Sequence, residues 1–281
     1  MVRGAPAAIQ SGASESGRRA ALSVRICVLG SGSRGNSTLI ATEKARLLVD
    51  AGFSKRETFA RLAAVGERCD GIDAILISHE HTDHVKGVES LARNLKAPIY
   101  ISATTRQAIL WTARPKVFES FTAGGKFTIG DIEVTPFSIP HDAADPVAFT
   151  FETQGIRIGV VTDLGYIPEL VKRHVRGCQC LVFESNHDLE MLKVGPYPWH
   201  VKQRVMGRQG HLSNLATAQF LREDFDGGAQ VLVLAHLSEN NNHPAIVRLT
   251  AAEALEGRPF SSSAPALHLA SQTTPTPVFQ F

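Results

Sequence analysis

Cysteine is scarce, with four residues in 281: Cys27, Cys69, Cys178 and Cys180, none of them in a C-x-x-C pair. That excludes a disulfide-stapled miniature fold and a thiolate zinc ribbon, and a chain of this length needs neither to bury a core. Cys27 lies within an apolar run, and Cys178 and Cys180 lead into another. Reduced, buried thiols in a cytoplasmic setting are therefore expected. No stretch reaches the roughly 18 apolar residues of a membrane helix. The Ala-, Gly-, Ser- and Arg-rich start holds no apolar core of signal-peptide length. No sign of charge dominates either: 29 Lys and Arg face 27 Asp and Glu, so only a local charge pattern can point to a partner. A soluble protein without membrane association is the expectation.

There is no internal repeat and no linker between residues 24 and 257. The reading is a flexible extension over 1–22, one domain over 23–257 and a flexible tail over 258–281, where Pro and Ser/Thr clusters replace periodicity.

The stretch "VLGSGSRGNSTLIATEKARLLVDAG" carries G-x-G-x-x-G at Gly30, Gly32 and Gly35, with Asp50 twenty positions beyond Gly30. A dinucleotide fingerprint requires a crossover helix before that acidic residue. Only nine residues separate Asn36 from Arg46, and they include the β-leaning Thr38, Leu39 and Ile40. The loop thus joins two adjacent strands, and its glycines let the backbone pass close to a crowded site. Downstream, Ser54 and Glu57 form a capping box before a helix ended by Gly66. Val88, Leu91, Ala92 and Leu95 keep helical spacing. The centre alternates in the two-residue period, with turns at Gly130–Asp131 and Gln154–Gly155. "CLVFES" and "VLVLAH" read as strands, and helices open at Ser213 or Asn214 and at Pro244. This order suits two sheets between helical layers and does not suit a doubly wound parallel sheet.

"ILISHEHTDHVKG" places His79, His81, Asp83 and His84 between a buried strand and a helix. Alternate side chains of extended backbone point the same way. Burying three imidazoles and a carboxylate without partners would cost several kcal/mol. Two imidazoles suit one divalent ion; the carboxylate and third imidazole suit a second.

H-x-H-x-D-H resembles the signature of the metallo-β-lactamase fold family. The resemblance implies an α/β fold, a four-layer αββα sandwich, with further ligands at the ends of later strands. His141 after "VTPFSIP", Asp163 after "IGVVT" and His236 after "VLVLA" match them, with Asp163 as the carboxylate that bridges two metals. The implied cofactors are two divalent ions, Zn²⁺ or Mn²⁺, since imidazole and carboxylate suit either. Two such ions about 3.5–4 Å apart bring a shared water to a nucleophilic hydroxide near neutral pH.

"GSGSRGNS", "SHEHTDHVKG", "TDLG", "ESNHD", "YPWHVKQRVMGRQGHLSN" and "HLSENNN" together resemble the YycJ/WalJ-like group of single-domain proteins over about residues 24–257. The related β-CASP nucleases carry a large insertion, for which the 47 residues between Asp163 and His211 leave no room. The resemblance implies a metal-dependent phosphodiesterase, a 5′-to-3′ exodeoxyribonuclease with DNA rather than RNA as partner. Asp83, His211 and Glu184 are the implied catalytic residues: His211 donates to the scissile phosphate or the leaving oxygen, and Glu184 orients a ligand imidazole. Ser33, Asn36, Asn186, His187, Arg204, Arg208 and Ser213 are the candidate substrate contacts. Charge agrees, because Met191 to Arg222 contains no Asp or Glu but includes Lys193, Lys202, Arg204, Arg208 and Arg222, interleaved with Tyr197, Trp199 and His200. The alternatives are an ester, thioester or lactone hydrolase on the same fold, and a metal-stabilised nucleic-acid-binding module without catalysis.

Overall fold

The computed structural model describes Met1 and residues 23–258, 260 and 263–281. The expected N-terminal extension therefore falls outside the described residues, Met1 aside. The strands are β1 (Arg25–Gly30), β2 (Ser37–Ala41), β3 (Arg46–Val49), β4 (Ala74–Leu76), β5 (Ile99–Ser102), β6 (Phe118–Phe121), β7 (Phe127–Ile129), β8 (Ile132–Ser138), β9 (Val147–Thr153), β10 (Ile156–Val161), β11 (Cys180–Glu184), β12 (Val231–Ala235), β13 (Ala266–Leu269) and β14 (Phe279–Gln280). They form two seven-stranded sheets, ordered β14-β1-β2-β3-β4-β5-β6 and β13-β12-β11-β10-β9-β8-β7. The helices are α1 (Lys55–Ala64), α2 (Thr82–Val85), α3 (Val88–Leu95), α4 (Ala103–Ala108), α5 (Glu169–Val175), α6 (Leu189–Val194), α7 (Trp199–Met206), α8 (Asn214–Glu223) and α9 (Pro244–Leu255).

Alternation along the strands builds three apolar layers. Ile26 and Val28 of β1 face Phe149 and Phe151 of β9 and Val182 of β11 across the inter-sheet core. Cys27 and Leu29 point the other way, onto Leu62 of α1 and Val88 and Leu91 of α3. Leu181 and Phe183 of β11 likewise turn outward onto Val171 of α5, Leu221 of α8 and Val247 of α9. The central strands of both sheets are buried on both faces, β2 and β11 throughout, so they read as near-continuous apolar runs. The result is the expected αββα sandwich.

The glycine loop joins β1 to β2, which pair antiparallel, Cys27 opposite Leu39. No crossover helix intervenes, as the short spacing required. Ser54 caps α1 by accepting the Glu57 amide at 3.2 Å, but the Glu57 carboxylate turns to Arg61 at 2.8 Å instead of closing the box. Ser213 is the cap of α8, accepting the Ala216 amide at 3.1 Å.

The expected flexible tail is corrected. β13 extends the second sheet beside β12, and β14 extends the first beside β1, Ile26 opposite Phe279. Between them the chain passes under the glycine loop: the Gln272 side chain accepts the Arg34 amide at 2.7 Å and donates to the Gly35 carbonyl at 3.0 Å. Its Pro and Thr residues were read as disorder, yet Thr276 replaces a strand partner, with amide and hydroxyl bonded to the backbone of Val28.

Candidate metal centre

The site lies at one rim, where strands end and loops from both sheets meet. After β4 the chain runs through Ser78 and His79 to His81, the extended residue that opens α2 (φ −60°, ψ 145°). His141 follows β8, Asp163 follows β10, Glu184 ends β11 and His236 follows β12. Three polar residues here hold left-handed backbone: Asp50 (φ 63°), Asp163 (φ 64°) and His236 (φ 57°). Non-glycine residues persist there only where their surroundings over-determine them, commonly at functional sites.

Two donor clusters result. His79 Nε2 and His141 Nε2 each lie 3.2 Å from His81 Nδ1. Asp83 Oδ2 lies 3.5 Å from His84 Nε2 and 3.6 Å from His236 Nε2. Asp163 Oδ2 is 3.4 Å from His84 Nε2, and His79, His84 and Asp163 make a group that links the clusters. All seven predicted donors are thus brought together.

The residues fit divalent cations. His236 Nε2 and Asp163 Oδ2 are buried yet have no hydrogen-bond partner, and ring nitrogens converge on one another without complementary groups. The donors are nitrogen and oxygen only, as Zn²⁺ or Mn²⁺ accepts. No cysteine joins the clusters, and burial pushes the Cys178 thiol up to about 12.

Each donor is oriented from behind. Glu184, fully buried, takes His236 Nδ1 at 2.8 Å and His211 Nδ1 at 3.0 Å on one oxygen. It also accepts the amides of Asp163, Leu164 and Leu212 at 3.2, 3.1 and 2.9 Å. His141 Nδ1 sits 3.2 Å from the Gly210 carbonyl. Asp50 performs the same service for His84, 2.8 Å from its Nδ1, while accepting the Ser78 amide and hydroxyl at 2.8 and 2.9 Å. In the sequence, Asp50 figures only as the acidic residue of a dinucleotide fingerprint. Its position at a strand end, like the ligands, was the available signal. Such supports fix ring orientation and strengthen ligand basicity.

The field is strongly coupled. Burial alone would lower the His84 pKa, but Asp163, Asp50 and Asp83 hold it well above the usual imidazole range. His236 is raised to about 10 by Asp163, Asp83 and Glu184 against the same burial. Burial opposes ionisation of Glu184, yet His211 and His236 bring its carboxyl down to about 2.

The glycine loop, at Asn36, and the loop after β3, at Gly52, both press on this site. A Cβ on Gly52 would lie 1.7 Å from the Asp83 carbonyl oxygen and 2.5 Å from the Asn36 amide nitrogen. Asn36 donates its side-chain amide to Asp83 Oδ2 at 3.1 Å.

The candidate substrate contacts divide. His211 is partly exposed, its ring 5.1 Å from both His141 and His236, and Ser33, Arg204 and Arg208 are exposed. Asn36, Asn186 and His187 are 6%, 5% and 1% exposed, and this corrects their expected role. Asn36 braces Asp83, Asn186 donates to the His236 carbonyl at 2.7 Å, and His187 is enclosed. The Ser213 hydroxyl is spent on its helix cap. Of the other basic residues, Lys202 is buried with its ammonium on the Lys193 carbonyl at 2.7 Å, and Lys193 pairs with Glu190. Arg204 pairs with Asp142, and both border a cleft of about 540 Å³ together with Arg208.

No helix among the described residues is long and apolar enough to cross a membrane. Residues 45–237 match the family described as the beta-lactamase superfamily domain. The chain is 35% identical over 247 residues to exodeoxyribonuclease YycJ of Bacillus anthracis, covering 85% of this chain and 92% of that one. It is also 35% identical over 228 residues to exodeoxyribonuclease WalJ of Streptococcus pneumoniae (strain D39), covering 79% and 85%. Among solved structures, the metallo-beta-lactamase fold protein YhfI of Bacillus subtilis superposes with a TM-score of 0.65 at 19% identity, over 90% of this chain and 99% of that one. That likeness establishes the fold. The chain belongs to the metallo-β-lactamase superfamily of hydrolases, within the group of YycJ and WalJ.

Proposed function

We propose that this chain is a 5′-to-3′ exodeoxyribonuclease that works with two divalent cations, Zn²⁺ or Mn²⁺, on DNA rather than RNA, in the cytoplasm. The observation that carries this reading is its likeness, over nearly the full length of both chains, to a relative named exodeoxyribonuclease. The site supports it.

His79, His81 and His141 would hold one cation, Asp83, His84 and His236 the other, and Asp163 both. When bound, such a pair supplies an activated water and neutralises charge that develops on a phosphoryl oxygen. Glu184 binds Nδ1 of His236, so that ring presents Nε2 to the centre. The same carboxylate oxygen binds Nδ1 of His211 and leaves its Nε2 for substrate. From between His141 and His236, His211 donates a hydrogen bond to the scissile phosphate and protonates the departing oxygen. Arg208, which has no carboxylate partner among the described residues, attracts the phosphate backbone at the cleft mouth, while Arg204 is held by Asp142. Ser33 is placed to touch substrate from the exposed tip of the glycine loop.

The test uses 5′- and 3′-labelled single- and double-stranded DNA and RNA with Mn²⁺, Zn²⁺ or EDTA, and a His81→Ala control. Mononucleotide release from the 5′ end of DNA, lost with EDTA and in the variant, is expected. Turnover of a small ester without cleavage of any nucleic acid, or cleavage that survives EDTA, would overturn the reading.

A further inference from the structure

A second cleft, of about 750 Å³, lies between α3 and the loop that enters β6. Ala97 shortly precedes β5 and Val117 directly precedes β6, and both strands belong to the parallel run that begins beside β4. The C-terminal end of β4 leads to His79, so this cleft opens at the rim opposite the metal centre.

Its charge is one-sided. Arg93 and Lys96 line it from α3 and its C-terminal cap, Arg114 and Lys116 from the loop. All four are exposed, and none has a carboxylate partner among the described residues. Glu89, the acidic residue of the lining, is occupied: its two oxygens accept the Thr112 and Ala113 amides at 2.6 and 2.9 Å, which ties the loop to α3. A helix C-terminus favours nearby cations, and that accounts for Arg93 and Lys96. Arg114 and Lys116 belong to no helix, so the dipole does not explain why they gather here. Between the cations the floor is apolar. Ala92 and Ala97 are buried beneath it, and Val117 is 49% exposed.

We propose that this cleft docks a protein partner through a peptide segment that combines acidic with apolar side chains. Carboxylates meet the four uncompensated cations, and an apolar side chain fills the space over Ala92, Ala97 and Val117. Charge of this kind speeds and orients the encounter, while the apolar anchor slows release. A nucleic acid fits less well. Its phosphates would satisfy the cations but bring nothing apolar to the floor, and the lining offers no aromatic ring on which a base could stack. A partner seated at the opposite rim leaves the metal centre open, so docking recruits the protein without blocking its site.

The test is fluorescence anisotropy with a labelled short peptide of alternating Asp and Leu. It is compared with a peptide carrying Asn for every Asp, one carrying Ser for every Leu, and a DNA duplex. The Asp–Leu peptide should bind saturably and more weakly as salt is raised, and the other two peptides at least about tenfold more weakly. Arg93→Glu combined with Lys116→Glu should weaken the Asp–Leu peptide by about tenfold or more at an unchanged unfolding temperature. Val117→Asp, which alters the floor alone, should weaken it too. Absence of binding, or equal wild-type affinity for the Asp–Leu and Asn–Leu peptides, would overturn the docking site, and that comparison needs no variant to fold. Displacement of the peptide by the duplex, with duplex binding lost in the charge-reversed variant, would give the cleft to nucleic acid and overturn it as well. No step involves the metal centre, so the outcome stands apart from the nuclease reading.

Discussion

His187 offers a quantitative check on the packing behind the metal centre. The residue is 1% exposed, and neither ring nitrogen meets a protein donor or acceptor. Burial disfavours its cation and outweighs the pull of Glu184, leaving a pKa of about 4 against an ordinary 6.5. Between those values the unfolded chain binds a proton that the folded chain refuses. Stability from this residue is complete above about pH 6.5 and falls as pH drops toward 4, by about 3 kcal/mol in all. His187→Phe removes the titration and keeps a ring in the space. Urea unfolding of both proteins, freed of metal with EDTA, reads the effect. Between pH 7.5 and 5 the wild type should lose about 2 kcal/mol more than the variant, since the other imidazoles are common to both and cancel. Parallel stability curves for the two proteins would refute the enclosed, neutral imidazole.

Glu184→Gln replaces a carboxylate that accepts five N–H groups with an amide that must turn a donor toward at least two of them. A loss on the order of 3–6 kcal/mol in urea unfolding is expected, with metal affinity reduced roughly 10- to 100-fold by titration calorimetry; near-wild-type values in both would contradict the support role. Gly52→Ala forces a methyl against the Asp83 backbone, so elemental analysis should find the cation of the Asp83 cluster lost while that of the His79 cluster is retained. Two equivalents per chain in that variant would be the contrary result. Gln272→Ala removes both bonds from the C-terminal segment to the glycine loop and should cost about 1–3 kcal/mol. Truncation after Gly257 deletes an edge strand from each sheet, and a cooperative thermal transition like that of the full chain would show the tail to be dispensable.

Much of the site was legible because its parts are local. His79, His81, Asp83 and His84 lie within six residues; extended backbone brings His79 and His81 to one cluster, and the first turn of α2 turns Asp83 and His84 to the other. The glycine loop was assigned by length, since nine residues cannot hold a crossover helix. His141, Asp163, Glu184 and His236 were implied by the family resemblance, with the apolar run before each as a check, and strand ends collect at one rim of a layered fold. The burial of Asn186 and His187 was not legible. Polar residues beside a motif look alike whether they face substrate or brace a ligand, and only the packing of α8 and the loop after β12 distinguishes these roles.

The sequence by itself determined the grouping of His79, His81, Asp83 and His84 and the relation between the glycine loop and its flanking strands, because each follows from spacing within a few residues; the αββα layering and the later candidate ligands were implied by the family resemblance those motifs carry. Tertiary structure alone decided that Asp50 supports His84, that Glu184 serves two imidazoles at once, and that the Pro- and Thr-rich end closes both sheets. Those contacts join segments tens to hundreds of residues apart. Their geometry comes from how two sheets stack and where their loops are forced to meet, and no periodicity along the chain records that.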